Sequence, residues 1–584
     1  MLRKRLVGAL LVAVTAVGGT TVAPRHARAQ EVIDLDADSD APKGKGKKAG
    51  ASGKKKGAVD IDLDEGSDKG GGTAAAGQMT EEAAAAKRLF DKDRYSEAAV
   101  ALYRVVAGQT GDDPGNQQLA QYYLAVSLYK LKFYQASYAL FSLISMTKAH
   151  LKFNETLLWL AKLATQLPEP ADIIERVGKY SDEEVARFNN AQQKPLYWQL
   201  NYMLGRYKYR NRQYEDAVRL FTKVETDSPY YVQAQFFSGI SYVQLRKSVP
   251  AIKSFQRVEK AIDDGAEGID DEERMRDLAY LSMARTYYSS SIKLDAETNA
   301  PNVNSEKLSA AVKYWNQVDE GSEYWLDALF EESWAYFMAG DYPRALGNIH
   351  TIEAPYFPGS FYPEAQILKA VIYFSNCNYE AATTVVARFK KKYEPLRKEL
   401  EKVLAHFKSG NPEDSYKFLL SVRDGTAELD PSIKGIVETA MSDRLLLRNI
   451  EYVKLLDSEM NHFTKAPSAF QTSGLGQQVR DALKLARDIA VKNAGKLAKS
   501  RYDRNLDDLD EHLRNGQKIL IDITAAQRNL LDEKLQQGQV SKVESKIFGV
   551  VKPDEEHLLW PFQGEYWRDE LGYYRQVVQS ACGR

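Results

Sequence analysis

The chain has 584 residues, and its 79 basic and 80 acidic side chains give a formal net charge of −1 at pH 7. This balance argues against nucleic acid or an anionic membrane surface as the main partner. The sequence contains only two cysteines, Cys377 and Cys582. They could pair in an oxidising compartment, or Cys377 could be a free thiol buried inside a helix, and both alternatives stay open.

The first residues predict a cleavable signal peptide at 1–29 and therefore a periplasmic location. Basic residues at 3–5 precede an apolar stretch at 6–17, and 27–29 offers a small-x-small cleavage site. This stretch is too short to cross a bilayer, and no later run of about twenty apolar residues follows, so we expect a soluble mature chain. An uncleaved anchor is the alternative. Without the five basic residues of the leader, 74 basic side chains face 80 acidic ones, a net charge of about −6.

The segment 30–79 has the composition of a disordered charged linker. Two acidic peptides, 32–36 and 59–64, flank the lysine- and glycine-rich stretch 43–57. With few apolar side chains, the segment has little burial to offset the entropy of ordering. The two acidic peptides are similar enough to be copies of a docking peptide, and the alternative is that they only balance charge.

A spacing of small residues recurs along the next 300 or so residues and predicts stacked helix pairs. In each set a small residue is followed twelve positions later by a second one, and four positions after that by a bulky apolar residue. Two antiparallel helices that cross closely need this arrangement. The six sets are Ala86/Ala98/Leu102, Ala125/Ser137/Phe141, Gly205/Ala217/Phe221, Gly239/Ala251/Phe255, Ser333/Ala345/Ile349 and Ala370/Ala382/Val386.

The turns between the predicted helices strengthen this pattern. The peptides 93–98, 212–217 and 340–345 all contain an aromatic residue, two polar residues and an alanine, and Gly205 and Gly239 lie 34 positions apart. With the aromatics Tyr242, Tyr287, Tyr336 and Tyr373 and the closing Pro229, the chain resembles the tetratricopeptide (TPR) family over residues 80–395. The resemblance implies an all-α, right-handed solenoid that serves as a scaffold for protein partners.

Two regions depart from the repeat pattern. Residues 150–195 predict a degenerate helix pair around Trp159, and 289–305 insert a polar loop into the pair that begins near Ala284. With these irregular pairs included, the sequence predicts eight pairs.

The segment 396–552 predicts long helices. Asp430 and Pro431 have the residue types of an N-cap and a first turn, and they open a helix expected to run to about Thr464. A later coiled-coil seam has two stretches, and its register slips between Leu497 and Tyr502, which predicts a bend or a fold-back there. The stretches are Val479, Leu483, Ala486 and Ala490, and then Tyr502, Leu506, Leu509, Leu513, Gly516, Leu520 and Ile523.

The coiled-coil seam has two possible partners. It could support self-association through residues 500–530, or the helix at 431–464 of the same chain could cover it. The aromatic C-terminal segment 553–584 presents a similar choice, because Trp560, Phe562 and their neighbours either cap the helical region or anchor a partner.

No catalytic or cofactor chemistry is visible in the sequence. The histidines after the leader, at 150, 350, 406, 462, 512 and 557, do not have metal-ligand spacing, and the motifs of nucleophile elbows and phosphate loops are absent. We therefore expect a protein that is not an enzyme and binds no cofactor or metal.

The inner wall of the predicted solenoid is the candidate partner-binding surface. In the TPR family the first helix of each pair lines this wall, and aromatic side chains there suit an extended peptide or a helix. The alternative is that these side chains pack against the neighbouring first helix. The candidate residues are Tyr202, Arg206, Tyr209, Phe236, Tyr288, Phe330, Trp334 and Phe337, with Tyr122 and Tyr129 in an earlier pair.

These features together predict an exported, periplasmic TPR scaffold that holds cell-envelope proteins together. The leader, the order of parts and the peptide 357–365 are similar to periplasmic TPR components of gliding-motility machinery in myxobacteria. The alternatives are a TPR adaptor of outer-membrane assembly or peptidoglycan synthesis, or an enzyme that acts on the cell wall with its catalytic residues in 396–584.

Overall fold

The computed structural model describes residues 76–294, 301–408, 410–441, 443–537, 546–548, 558–559 and 561–582. These ranges consist mainly of α-helices, which confirms the all-α class, and eight successive helix pairs stack on one another as a solenoid. The pairs are α1 (Glu81–Asp91) with α2 (Tyr95–Val106), α3 (Pro114–Lys130) with α4 (Tyr134–Ser145), α5 (Thr156–Ala164) with α6 (Ile173–Val177) and α7 (Asp182–Ala186), α8 (Lys194–Arg210) with α9 (Tyr214–Phe221), α10 (Tyr231–Gln244) with α11 (Ser248–Asp263), α12 (Glu272–Ser291) with α13 (Ser305–Trp315), α14 (Trp325–Ala339) with α15 (Tyr342–Ile352), and α16 (Pro363–Ser375) with α17 (Tyr379–Ala405).

The small residues lie where the two helices of a pair cross. A methyl group at Gly205 would come within 2.6 Å of Phe221, and one at Gly239 within 2.5 Å of Phe255. In the second pair, the Ser137 hydroxyl donates to the Ala125 carbonyl at 2.8 Å. The recurring spacing therefore reflects close contact between the two helices of a pair, in which the bulky residue lies against the small one.

Six pairs share one turn geometry between their helices. The residue two positions before the second helix has a left-handed backbone, with φ of 56° at Asp93, 59° at Arg212 and 78° at Gly340. The next amide then donates back to a carbonyl five residues earlier, as Arg94 does to Leu89. This is a Schellman turn, which satisfies carbonyls at the helix end and aims the chain into the antiparallel second helix. The six residues are Asp93, Lys132, Arg212, Arg246, Gly340 and Cys377.

The irregular pairs lie where the sequence predicts them. In the third pair a 3₁₀ turn, Glu169–Ala171, and the short α6 and α7 take the place of one regular second helix. In the sixth pair a two-stranded antiparallel sheet of β1 (Ile292–Leu294) and β2 (Pro301–Val303) separates α12 from α13. The last helix, α17, continues to Ala405, ten residues beyond the predicted boundary at 395.

Five further helices, here called the C-terminal helices, follow the eighth pair. The predicted continuous helix over 431–464 is wrong, because the chain breaks after Ala440 and restarts where Asp443 accepts the Leu446 N–H at 3.0 Å. Asp443 is an N-cap inside the predicted helix, and such a cap favours a new helix start. The C-terminal helices are α18 (Pro412–Arg423), α19 (Pro431–Ala440), α20 (Arg444–Thr464), α21 (Ser468–Gln471) and α22 (Gly474–Gln537).

A fold-back in the coiled-coil segment, one of the two predicted outcomes, is also wrong, because α22 is one helix from Gly474 to Gln537. A bend within that helix stays a prediction. The slip in register coincides with a change of packing partner. Arg487 binds Asp457 of α20 at 2.7 Å, whereas the Tyr502 hydroxyl donates to a carbonyl of α19 and Asp510 binds Arg397 of α17. Before the slip in register α22 contacts α20, and after it α22 contacts α19 and α17. Because these neighbours are different helices, the buried face of α22 changes at the slip.

The chain's own helices cover the seam of α22. Leu483, Tyr502, Leu509 and Ile523 are all buried, and α22 packs along α17 and α20. The intramolecular alternative is therefore the one present in the described structure. Self-association through 500–530 stays a prediction and would need a face of α22 other than this seam.

The described part of the C-terminal segment, 561–582, packs on the solenoid. The His350 ring on α15 lies 4.5 Å from that of Tyr566 and 5.0 Å from that of Tyr574. Cys582 forms a disulfide with Cys377 at the turn between α16 and α17. The end strand β4 (Val578–Ser580) pairs with β3 (Lys546–Phe548). The segment thus caps the helical region, and Trp560 lies outside the described residues.

The signal peptide and almost all of the charged linker lie outside the described residues, as does 549–557. In the described part, residues 76–80 approach the start of α3, where the Asp113 carboxylate accepts the Gly77 N–H at 3.1 Å.

We expect Gly239→Ala to lower the free energy of unfolding by about 1–3 kcal/mol, because the added methyl group overlaps Phe255 in a packed core. The matched control is Gly495→Ala, in the middle of α22, where the nearest atom lies 3.5 Å from the new methyl group. This control should be neutral or stabilising by up to about 1 kcal/mol, the helix-propensity gain. Urea unfolding followed by circular dichroism measures both. Equal effects of the two variants would contradict close crossing at Gly239.

Candidate functional site

A long-range contact joins the C-terminal helices to the second helix pair, and we call it the closure joint. The Phe133 ring, in the turn before α4, stacks on Phe470 of α21 at 5.5 Å and lies 6.3 Å from Phe463 of α20. All three rings are buried. The Nε2 atom of His462 lies 3.1 Å from the carbonyl oxygen of Leu131. Residues more than 300 positions apart in sequence therefore share one small aromatic core.

Buried polar groups surround this aromatic core. The Glu459 carboxylate accepts the backbone N–H of Gln135 at 3.1 Å, at the first turn of α4, and the Tyr452 hydroxyl donates to the Gln135 side chain at 2.6 Å. A carboxylate at a helix N-terminus is stabilised by the unpaired amides and by the helix dipole. Burial acts in the opposite direction and is the larger effect, so it raises the pKa of Glu459 to about 8.

A second polar contact, the Glu169 cluster, lies one pair further along the solenoid. One oxygen of Glu169 binds Arg206 of α8 at 2.6 Å and also Arg210, and the other binds Arg448 of α20 at 3.0 Å. Glu169, Arg206 and Arg448 are each more than nine-tenths buried at their side chains. A buried charge cluster of this kind is costly to break, because removing one partner strands the others without solvent.

A cavity of about 260 Å³ lies beside the Glu169 cluster, between α20 and the third and fourth pairs. Its floor is mainly apolar and aromatic, and includes Tyr202, Met203 and Tyr230, while Glu451 and Leu455 of α20 form part of its wall. The contact of α20 with the solenoid is therefore less densely packed here than a protein core.

The structure places the first four predicted site residues mostly inside the fold. Tyr202 and Arg206 are buried at the cavity, and the Arg206 guanidinium lies 5.0 Å from the Phe237 ring of the next first helix. Tyr209 is half-buried and packs 5.5 Å from that same ring. Phe236 is completely buried against Phe255. Packing between neighbouring helices, the alternative left open by the sequence, accounts for these positions.

The other four predicted residues divide into two groups. Trp334 and Phe337 are buried at 5% and 9% exposure and pack edge to face, so they do not line an open groove. Tyr288 and Phe330 are half-buried, and they pack against Trp315 and Tyr362 respectively. Only this second group keeps surface for a partner. Binding of a partner by any of the eight residues stays a prediction.

Tyr122 and Tyr129 both pack around Trp159 of the third pair. The indole N–H of Trp159 donates to the Tyr122 hydroxyl at 2.8 Å, and the Tyr129 ring lies 5.2 Å from the indole.

Two acidic groups on α14, the first helix of the seventh pair, lie near Tyr288 and Phe330. The Tyr362 hydroxyl donates to Asp327 at 2.6 Å, and Glu331 binds the buried Arg285 through both of its oxygens. Burial raises the pKa of the Asp327 carboxyl, although the Tyr362 hydrogen bond lowers it in part. We call Tyr288, Asp327, Phe330 and Tyr362 the acidic aromatic face. Such a face suits a protein segment with cationic and apolar side chains.

Sequence reasoning missed the residues of the closure joint. Phe133, Gln135 and Glu459 belong to no motif, and their contact depends on how the whole solenoid curves. The cavity was missed for the same reason, although two of its residues, Tyr202 and Arg206, were singled out.

Within the described ranges, no group of histidine, cysteine and acidic residues has the arrangement of a metal site. None of the described helices is long and apolar enough to cross a membrane.

Comparison with known proteins supports the repeat interpretation over part of the chain. Residues 202–266, from within α8 to just past α11, match the family model for the tetratricopeptide repeat. No curated protein sequence matches the chain significantly. The crystal structure of the apo form of RapI is 11% identical, with 70% of this chain and 96% of that chain covered and a TM-score of 0.29. A circular tandem repeat protein with novel repeat topology is 13% identical, with 78% and 100% covered and a TM-score of 0.11. These TM-scores are too low to support an argument about shape.

We expect Trp334→Ala to lower the free energy of unfolding by about 3–5 kcal/mol, the usual cost of removing a buried large aromatic side chain. Phe330→Ala should have a clearly smaller effect, because Phe330 is only half-buried. Urea unfolding of the two variants beside the parent chain provides the measurement. A Trp334→Ala chain of unchanged stability would show that this side chain is a surface ligand and not core.

The Glu459 carboxyl should make stability depend on pH. Its folded pKa of about 8 lies above the ordinary value of about 4.3, so between these values the folded state holds a proton that the unfolded state releases. Stability should therefore fall as the pH rises from about 5 to about 8, and Glu459→Gln should reduce this fall. The parent must be compared with the variant, since burial also raises the pKa of Glu332 to about 7. Identical slopes of unfolding free energy against pH would contradict this assignment.

Proposed function

We propose that this chain, a tetratricopeptide-repeat protein, is an exported scaffold that binds protein partners in the cell envelope through its acidic aromatic face. Tetratricopeptide repeats indicate a protein-interaction scaffold, and this repeat fold is typically non-catalytic. The observation that carries the proposal is that Tyr288 and Phe330 keep accessible surface on first helices, whereas the other predicted aromatics mostly pack inside the fold.

The chemistry of this face supports a protein segment as the ligand. Aromatic side chains bury much area at small entropic cost, and the carboxyl of Asp327 beside them can bind a cationic side chain. Burial of the Asp327 carboxyl opposes its ionisation and therefore raises the pKa of Asp327. A lysine or arginine of the partner would favour the ionised form, as the nearby Arg285 and Arg501 already do, so that Asp327 would favour basic segments over acidic ones.

Two observations support export. The sequence begins with a basic, apolar and small-residue pattern that is typical of signal peptides. Cys377 and Cys582 form a disulfide, which persists in oxidising compartments such as the periplasm. Membership of a particular envelope machinery, whether gliding motility, outer-membrane assembly or peptidoglycan synthesis, stays a prediction from the sequence.

Site-specific photocrosslinking in intact cells tests the proposal. A photoreactive amino acid at Phe330 should give discrete adducts with envelope proteins, identifiable by mass spectrometry, and Tyr288→Ala should weaken them. The matched control is the same amino acid at Leu485, which is 63% exposed on α22 and far along the chain from the face. Adducts at Phe330 no different from those at Leu485, or partners confined to the cytoplasm, would contradict the proposal.

A further inference from the structure

We propose that the surface of the second to fourth helix pairs covered by α20 is a docking site for an amphipathic helix of a partner protein, and that α20 occupies this site as an internal competitor. The inference rests on the scaffold function proposed above and concerns a second surface, separate from the acidic aromatic face. Three features of the contact between α20 and the solenoid support it.

The first feature is the polarity of the contact. Tyr452 and Glu459 are each 5% exposed and Arg448 is 6% exposed, and all three reach polar groups of the solenoid. Permanent packing inside a domain is normally apolar, whereas surfaces that separate must be polar enough to be stable in water. Each of these groups has a partner when α20 is docked and can be hydrated when it leaves. The contact therefore combines the aromatic core of the closure joint with buried polar groups, and the polar part suits reversible docking.

The second feature is the regular spacing of the docking residues along α20. Arg448, Tyr452, Leu455 and Glu459 lie four, three and four positions apart, which places them on one helical face. Phe463 follows four positions later and enters the aromatic core at Phe133. The site therefore recognises a helix by four groups. These are an arginine that binds Glu169, a hydroxyl that binds Gln135, a carboxyl group that accepts from the first turn of α4, and a terminal aromatic ring.

The third feature is the cavity under the middle of α20. Leu455 is only half-buried at a cavity of about 260 Å³ whose floor includes Tyr202, Met203 and Tyr230. This pocket is partly open to solvent, and a bulkier side chain at this position would cover more of its apolar lining. The internal helix is thus an imperfect occupant, and a partner helix with an aromatic residue in place of Leu455 would fit better.

Contacts of α22 with the solenoid keep the C-terminal helices attached when α20 leaves. The first part of α22 packs on α2 and α4, and farther along Asp510 and Gln517 bind Arg397 and Lys390 of α17, on the eighth pair. These contacts belong to α22 and not to α20. Because α20 stays tethered, it competes at a high effective concentration, and a helix identical to it would bind the intact chain weakly.

The test uses the full chain and a fluorescent peptide of residues 444–464 in a binding titration. Glu459→Lys in the chain should release α20, because a lysine side chain cannot accept a hydrogen bond from the backbone N–H of Gln135. This variant should bind the peptide at least about tenfold more tightly than the parent chain does. The control variant is Ser458→Lys, which places the lysine on the exposed side of the same helix and should behave as the parent does.

Peptide variants test the recognition chemistry. A Leu455→Trp peptide should bind the Glu459→Lys chain about 3- to 30-fold more tightly than the unmodified peptide, as cavity filling predicts. A peptide that itself carries Glu459→Lys should bind at least about tenfold more weakly than the unmodified peptide. If circular dichroism shows that Glu459→Lys unfolds the chain, Tyr452→Phe, which removes only one hydrogen bond, takes its place with a smaller expected gain.

Three results would overturn the inference. The first is equal binding of the peptide by the parent and the Glu459→Lys chain, and the second is no binding by the Glu459→Lys chain. The third is that the Leu455→Trp peptide binds neither chain more tightly than the unmodified peptide does. Since this assay uses purified components, its failure would leave the crosslinking result at Phe330 intact, and a failure there would leave the peptide result intact.

Discussion

The contact of Phe133 and Gln135 with the C-terminal helices is the interaction on which the architecture depends. A stack of helix pairs buries the faces between neighbours but leaves its end faces to be covered by something else. Here α22 packs on the eighth pair and also on the first two pairs, and α20 and α21 contact the second pair through Phe133. The same C-terminal helices thus cover one end of the solenoid and hold its earlier part in place.

This closure changes what the inner wall of the solenoid is available to do. Side chains such as Tyr202 and Arg206, which would face a ligand in an open solenoid, lie under α20 or against a neighbouring helix. The accessible aromatic residues of the predicted set are concentrated in the sixth and seventh pairs, beside Asp327 and Tyr362. Two surfaces with different chemistry therefore follow from one fold, a half-buried acidic aromatic one and one covered by the chain itself.

The repeat architecture could be predicted because its determinants are local. Gly205 and Phe221 are only sixteen residues apart, and the turn that brings them together has a recognisable aromatic and alanine pattern. The break after Ala440 also had a local signal, the capping residue Asp443, but it was outweighed by the apolar periodicity on both sides. The close-packed core of each helix pair can thus be predicted from the sequence, whereas short breaks between helices are harder to predict.

The candidate site could be predicted only in part, because exposure depends on the neighbouring pair and not on the residue itself. Trp334 and Phe330 lie one helical turn apart, yet the first is core and the second is half-buried. The contact between Gln135 and Glu459 spans 324 positions and requires the curvature of every pair between them. No local pattern encodes such a distance, so the closure joint and its cavity emerge only from the structure.

Closure of the solenoid by its own C-terminal helices is tested most directly by the distance across the joint. Lys132 and Lys465 are both exposed and flank the Phe133, Phe463 and Phe470 cluster, so spin labels there leave the contact itself unchanged. Pulsed electron paramagnetic resonance on the full chain should give one short distance with a narrow distribution. A broad distribution of long distances would show that the C-terminal helices are not held on the second pair, and would contradict the account.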